Sequence, residues 1–358
     1  MKLDGIILAA GKGTRLRPIT FSIPKPLIPI MGRPIVGYGI EQLKKLGIKE
    51  ITMVVGWLHE VFEEVLGNGE RFGIKIKYVL QEKRLGIAHA INLALTEGDI
   101  NNPFLVYLGD NVLNDSWINN FKNVFKDYDS IIFLARVKDP RRFGVAIIKD
   151  DRVVGFIEKP KVPPSDLALV GLYYFKDPED FRKCYSTLKP SWRGEYEITD
   201  IINCYIRRGL NIGYIVIDGW WKDTGKPEDL IDAMMIIMDN YLDRSQIKGE
   251  VNGEVYGRVI VEEGAIVNGK VYGPAYIGKG VYVSENTVIE HYVDLEKDVK
   301  IDGGHVTRSL VLDSSTFKLG RSRLIDSIIG PYSDISVSHD LRLKLKLTAS
   351  QESKIFID

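Results

Sequence analysis

Counting by sixes from Val259 reaches Ala265, Val271, Ile277, Val283, Ile289, Leu295 and Ile301, eight consecutive apolar positions in a chain that is 45% hydrophobic. Chance placement rarely sustains such a run. A six-residue apolar period is the signature of a parallel β-helix, whose coils turn three flat faces with one side chain of each hexapeptide sent inward. Two positions earlier stand Gly257, Glu263, Gly269, Ala275, Val281, Thr287, Val293 and Val299, mostly small or β-branched as a tight corner wants, with Glu263 the misfit. The phase is lost over His305–Ser309 and resumes less regularly through Val311–Phe317 and Leu324–Ile335. At about 18 residues per coil, residues 247–340 supply roughly five coils. The competing reading of this segment is an ordinary antiparallel sandwich.

The first 240 residues read differently. Short apolar runs alternate with amphipathic stretches, the pattern of strands and crossover helices in a mainly parallel α/β sheet. Strands are expected at 5–10, 51–55, 74–80, 104–107, 131–137, 144–148, 153–157, 169–175 and 212–217, and helices near 35–46, 59–66, 87–96, 178–188, 197–208 and 227–241. The last helix carries Leu230, Met234, Ile237, Met238 and Tyr241 at helical spacing, an apolar surface for packing on the sheet or the next domain. The reading is therefore a Rossmann-like α/β domain over 1–243 and a left-handed parallel β-helix over 244–358, two domains being the prior for 358 residues.

Composition narrows the class of partner. The 48 Lys and Arg balance 48 Asp and Glu, which gives no basic field for nucleic acid and no acidic tail. The longest apolar stretches fall far short of the roughly 20 residues of a membrane span. The N-terminal run Ile6–Ala10 is too short for a signal-peptide core of roughly 7–15 residues and reads as a buried first strand. Two cysteines, Cys184 and Cys204, support neither a disulfide framework nor a zinc site, and fit a reducing, cytoplasmic location.

The first strand runs directly into Gly11-Lys12-Gly13-Thr14-Arg15-Leu16-Arg17-Pro18, then Pro24-Lys25-Pro26-Leu27. Glycines let backbone N–H groups approach phosphate oxygens, and Arg15 and Lys25 can neutralise charge on a transferring group. This is no Walker loop, since the Gly-Lys-Ser/Thr ending is absent. Leu16 also stands where a dinucleotide fingerprint needs its third glycine. Taken alone, a glycine turn after a strand is equally an ordinary turn.

The whole string Leu8-Ala9-Ala10-Gly11-x-Gly13-Thr14-Arg15-Leu16-x-Pro18-x-Thr20, with Pro24-Lys25-Pro26-Leu27, resembles the sugar-1-phosphate nucleotidylyltransferases. The likeness continues through Gln81-Glu82-x-x-Leu85-Gly86-x-Ala88-His89-Ala90, Leu108-Gly109-Asp110-Asn111, Phe143-Gly144-Val145-Ala146 and Glu158-Lys159-Pro160. It extends through Gly171-Leu172-Tyr173, Arg193 to Asp200, and Trp221-Lys222-Asp223-Thr224-Gly225. With the β-helix, the likeness points to the long-form glucose-1-phosphate thymidylyltransferases. Short forms carry Pro where this chain has Glu82 and Arg84, and Gln where it has His89; the long forms resemble it better.

The resemblance implies attack by a sugar-1-phosphate oxygen on the α-phosphorus of a nucleoside triphosphate, dTTP being favoured, with pyrophosphate leaving. Catalysis is then charge neutralisation and alignment more than proton transfer. Arg15, Lys25, Asp110 and Asp223 are the implied catalytic residues, and Asp110 and Asp223, each near a strand end, are the implied Mg²⁺ ligands. Leu8, Gly11, Gly13, Thr14, Gln81 and Gly86 are implied for the nucleotide, Gln81 meeting an imide N–H and a carbonyl. Gly144, Glu158, Lys159, Gly171, Tyr173 and Arg193 are implied for the sugar phosphate, Arg193 with its planar fork. Without the resemblance, Glu158-Lys159 is an ordinary solvated pair, and Glu197 or Thr199 belongs to a helix start.

His89 reads as a helix residue, and His59, His291, His305 and His339 show no metal-ligand spacing. Trp220-Trp221 and Tyr173-Tyr174-Phe175 read as core and pocket wall. Thymine and uracil differ by one methyl, worth about 1 kcal/mol or slightly more, which leaves UTP as the alternative. Two other readings compete: a catalytically inactive regulatory subunit, and an acetyltransferase activity in the β-helix. The β-helix is expected instead to dock on another subunit, making a homo-oligomer.

Overall fold

The computed structural model describes residues 2–150 and 152–358. Two compact units emerge: residues 1–12 with 36–221, and residues 13–35 with 222–358. Along the sequence the units alternate, residues 13–35 belonging with the second. The reason is the Gly13–Ile35 segment, whose turn hydrogen-bonds to Asp294 and Glu296 more than 260 residues later.

The first unit is built on a sheet of nine strands among the described residues. Asp4–Leu8, Glu50–Val55, Lys75–Leu80 and Phe104–Leu108 form its parallel part. Ile6 and Ile7 are wholly buried, as expected of a strand covered on both faces. From Asp4–Leu8 the chain steps through Glu50–Val55 to Lys75–Leu80, then returns by the helix Ile87–Glu97 to Phe104–Leu108 on the other side of the first strand. Such a reversal of strand order opens a crevice at the carboxyl ends of the two strands flanking it, where α/β proteins bind ligands. Leu167–Phe175 continues the sheet antiparallel to Phe104–Leu108, followed by Gly144–Lys149 and Arg152–Glu158. Ser130–Arg136 and Ile212–Val216 complete it.

The helix Trp117–Val124 escaped the sequence reading. It is only eight residues long, its Ser116 cap makes no side-chain bond, and what holds it is a cluster of Trp117, Phe121 and Phe133 rings that no local pattern announces. A second correction concerns the cysteines. Cys184 and Cys204 form a disulfide, their Cα atoms 5.8 Å apart. The packing of helix Pro178–Thr187 against Ile198–Arg207 brings them together, and a separation of 20 residues by itself gives no sign of it.

In the second unit, Val259–Val261, Ala275–Ile277, Val293–Leu295, Ser309–Val311, Ile328–Ile329 and Thr348–Ala349 stack in parallel as one face of a left-handed parallel β-helix. All eight positions of the apolar hexad are 0% exposed. Glu263 lies exposed at a corner, so the misfit costs nothing. The lost phase corresponds to a register break between Asp302 and His305. The helix Pro227–Tyr241 packs beside the Ser309–Val311 strand, burying Leu230, Met234, Ile237 and Met238, while Tyr241 stays 42% exposed. Among the described residues no helix is long and apolar enough to cross a membrane.

Candidate functional site

At the crevice of the first unit, the Gly109 N–H donates to the Leu8 carbonyl at 2.9 Å, tying the residue before Asp110 to the start of the glycine-rich segment. A Cβ built on Gly11 would meet nothing within 4 Å, so packing does not require glycine there. A ligand approaching the backbone would. Asp110 is oriented by Asn111, whose amide donates to its Oδ1 at 2.8 Å. Asn111 in turn accepts from Trp221 Nε1 at 2.6 Å. The sequence reading gave Asn111 no role and Trp221 only that of core or wall; the relay shows both as supports of Asp110.

Gln81 is buried, and its Nε2 lies 2.8 Å from His89 Nδ1 and 3.4 Å from the Gly86 carbonyl. Burial holds His89 below its ordinary pKa, favouring the neutral ring whose Nδ1 accepts that bond. His89 therefore fixes which way the Gln81 amide faces, a part that its reading as a plain helix residue missed. Gly86 owes its identity to close backbone approach: φ is +101° and an added Cβ would lie 2.6 Å from the Tyr196 carbonyl oxygen.

A charged cluster brings together the residues expected to face a sugar phosphate. Arg193 reaches Glu158 at 3.5 Å, Glu195 at 2.9 Å and Glu197 at 3.2 Å, while Lys159 lies 3.6 Å from Glu158. Burial first, then the charge of Glu197, pushes the Glu158 carboxyl above its ordinary pKa. Glu197 sits at the start of its helix yet makes no cap; it accepts instead from Ser191 at 2.8 Å and from Arg193. It thus holds the guanidinium rather than the helix. Gly144 stands against this cluster, where a Cβ would come within 3.2 Å of Glu158 Oε2, and Gly171 against Leu108. Tyr173 is buried, and its hydroxyl is raised by burial and then by Glu158 and Asp110. It therefore lies within electrostatic reach of both carboxylates.

The second unit carries the remaining expected residues. Gly13 is left-handed, φ +59°, and its carbonyl accepts from Thr20 Oγ1 at 2.8 Å, closing a turn that leaves Thr14 and Arg15 exposed. Lys25 is buried, and its ammonium meets Asp223 Oδ1 at 3.2 Å. A buried ammonium requires such a partner. Neighbouring Lys222 is clamped by Asp229 at 3.0 Å and Asp232 at 2.8 Å, which fixes the backbone beside Asp223 to the helix Pro227–Tyr241.

Among the described residues no group of three or more His, Cys, Asp or Glu is placed to hold a metal. The Asp110 carboxylate, oriented by Asn111, has the oxygen chemistry that suits Mg²⁺, a hard cation that takes a few protein oxygens and fills its shell with water and substrate phosphates.

Comparison with known proteins follows the same lines. The family model described as nucleotidyl transferase matches residues 4–240. The low-salt glycan biosynthesis nucleotidyltransferase Agl11 of Haloferax volcanii is 38% identical over 344 residues, 94% of this chain and 95% of that protein. A glucose-1-phosphate thymidylyltransferase of Streptomyces griseus is 37% identical over 96% of this chain and 97% of its own length. A crystal structure of a Bacillus anthracis protein described as a glucose-1-phosphate thymidylyltransferase superposes with a TM-score of 0.59 at 37% identity, covering 66% of this chain and 95% of that one.

Proposed function

The chain belongs to the nucleotidyl transferase family, and from that premise we propose that it transfers a thymidylyl group from dTTP to glucose-1-phosphate, releasing pyrophosphate. The observation that carries this reading is the pairing, within the first unit, of a phosphate-type crevice at Leu8–Gly11 and Asp110 with the Glu158–Arg193–Glu197 cluster. The crevice suits a triphosphate, with Gln81, held by His89, facing the base. Arg193 and Lys159 suit a phosphate monoester, and Glu158 a sugar hydroxyl.

Two polyanions brought together repel, so the residues' work is electrostatic. Arg15 and Lys25 neutralise the phosphates, Lys25 exchanging its Asp223 contact for a phosphate oxygen when substrate arrives. Asp110 would offer a carboxylate to Mg²⁺, which when bound would supply further charge neutralisation at the triphosphate. The β-helix supports assembly with further copies of the chain, which light scattering tests.

The deciding experiment incubates the purified protein with glucose-1-phosphate and each nucleoside triphosphate in turn, and follows pyrophosphate. Release with dTTP, abolished by excess chelator, is expected. Faster turnover with UTP would reassign the base; no release with any triphosphate would make the chain a regulatory subunit.

A further inference from the structure

Buried charge is absent from the apolar hexad of the β-helix, yet Asp294 is 0% and Glu296 4% exposed on one of its faces. Their partners lie on the Gly13–Ile35 segment. Asp294 Oδ2 accepts the Met31 N–H at 2.7 Å and Glu296 Oε1 accepts the Gly32 N–H at 2.9 Å. Met31 and Gly32 form the two-residue turn between the paired strands Pro29–Ile30 and Arg33–Pro34. Both are left-handed, φ +53° and +70°, as a type I′ hairpin demands, and methionine adopts that conformation unwillingly. Tyr276 closes the seat from the β-helix side: a Cβ on Gly32 would fall 2.4 Å from its hydroxyl. Only a bare turn fits, and the two carboxylates hold it there.

We infer that Asp294 and Glu296 are positioning residues, the means by which the β-helix fixes the segment bearing Arg15 and Lys25; the inference rests on the nucleotidyl transfer proposed above. The hairpin begins two residues after Leu27, so its seat sets where the Pro24–Leu27 stretch and the Lys25 ammonium lie. The grip is also sensitive to protons. Asp294 and Glu296 interact through their side chains, and Oδ1 of Asp294, buried with no N–H or O–H donor among the described residues, is the atom on which a proton shared with Glu296 would sit. Burial raises Asp294 to about 7 and raises Glu296 as well. The groups facing the pair from the β-helix are Asp313 and Tyr276, with Glu262 beside Tyr276 and Lys297 and Asp298 beside Asp313, while Arg33 follows the turn in sequence. Because burial favours the protonated form, the stabilising contribution is complete below the ordinary carboxylate range and is lost as pH rises through about 7.

The test uses the full chain in three forms besides wild type: D294A with E296A, D294N with E296Q, and G32A. Hydrogen exchange is read over Gly13–Ile35 and over the β-helix, and kcat and KM are measured from pH 5.5 to 8.5. The alanine pair should speed exchange over 13–35 while the β-helix stays protected, and lower kcat roughly 10- to 100-fold with little change in KM for the sugar phosphate. Asn and Gln keep the two acceptors and lose the proton dependence, so that pair should restore protection and flatten the pH profile above 6. G32A, which unseats the turn from the other side, should reproduce the alanine pair without touching the β-helix. Unchanged exchange over 13–35 in both the alanine pair and G32A would overturn the inference. So would equal losses in the alanine and the Asn–Gln pairs. Absence of turnover in wild type would sink the proposed reaction instead, while the exchange measurement would still decide the grip.

Discussion

Both units bury polar atoms, and they bury different kinds. At the strand ends of the sheet unit the clustered groups are ionisable: buried Glu197 and half-buried Glu158 each meet the half-buried Arg193, and Asp110 bears on the buried Tyr173. In the β-helix they are mostly hydroxyls. Ser309 Oγ accepts the Ser327 N–H at 3.2 Å, Ser315 Oγ the Ser333 N–H at 3.2 Å, and Ser327 Oγ the Leu347 N–H at 2.9 Å, each serving the backbone of the next coil. A neutral hydroxyl can satisfy a corner amide at small desolvation cost, whereas a buried ion costs several kcal/mol unless strongly paired. Buried charge therefore marks where the chain does more than stack, and by that criterion Asp294 and Glu296 stand out from their own domain.

The contrast can be broken most directly at Lys25, whose removal should lower kcat about 10²- to 10³-fold and raise KM less, as read by pyrophosphate release. A variant with near-normal turnover would reduce the Lys25–Asp223 pair to architecture. Ile289→Ala, in the β-helix interior, should do the opposite: lose about 2–5 kcal/mol in denaturant unfolding while kcat at 25 °C holds. Replacing Cys184 and Cys204 together by Ser should cost about 3 kcal/mol of sheet-unit stability, an effect that reductant added to the wild type should mimic in a thermal scan. Ser315→Ala leaves the Ser333 N–H without its acceptor and should cost about 1 kcal/mol, showing as a small shift in urea midpoint. The smallest effect concerns pH. With Glu158 raised in the folded state, its stabilising contribution is present below the ordinary carboxylate range and declines as pH climbs through the raised value. Glu158→Gln should remove that slope from stability measured between pH 4 and 8.

Much of this was legible in one dimension. The β-helix interior follows from the hexad because each coil repeats the same environment, so the identity of every inward residue is set by its own position in the period. The parallel strands were readable because burial on both faces demands unbroken apolar runs such as Ile6-Ile7-Leu8. The glycine-rich segment, Asp110 and Glu158-Lys159 were readable as motifs, since each concentrates its chemistry within a few adjacent residues. What required tertiary structure was every pairing of distant parts: Lys25 with Asp223 across 198 residues, Trp221 with Asn111 across 110, Cys184 with Cys204, and Met31 with Asp294 across 263. No local period or propensity encodes such pairs, because each depends on where packing places two separate elements. Sequence thus named the groups that carry the charge, and only the fold decided which of them face one another.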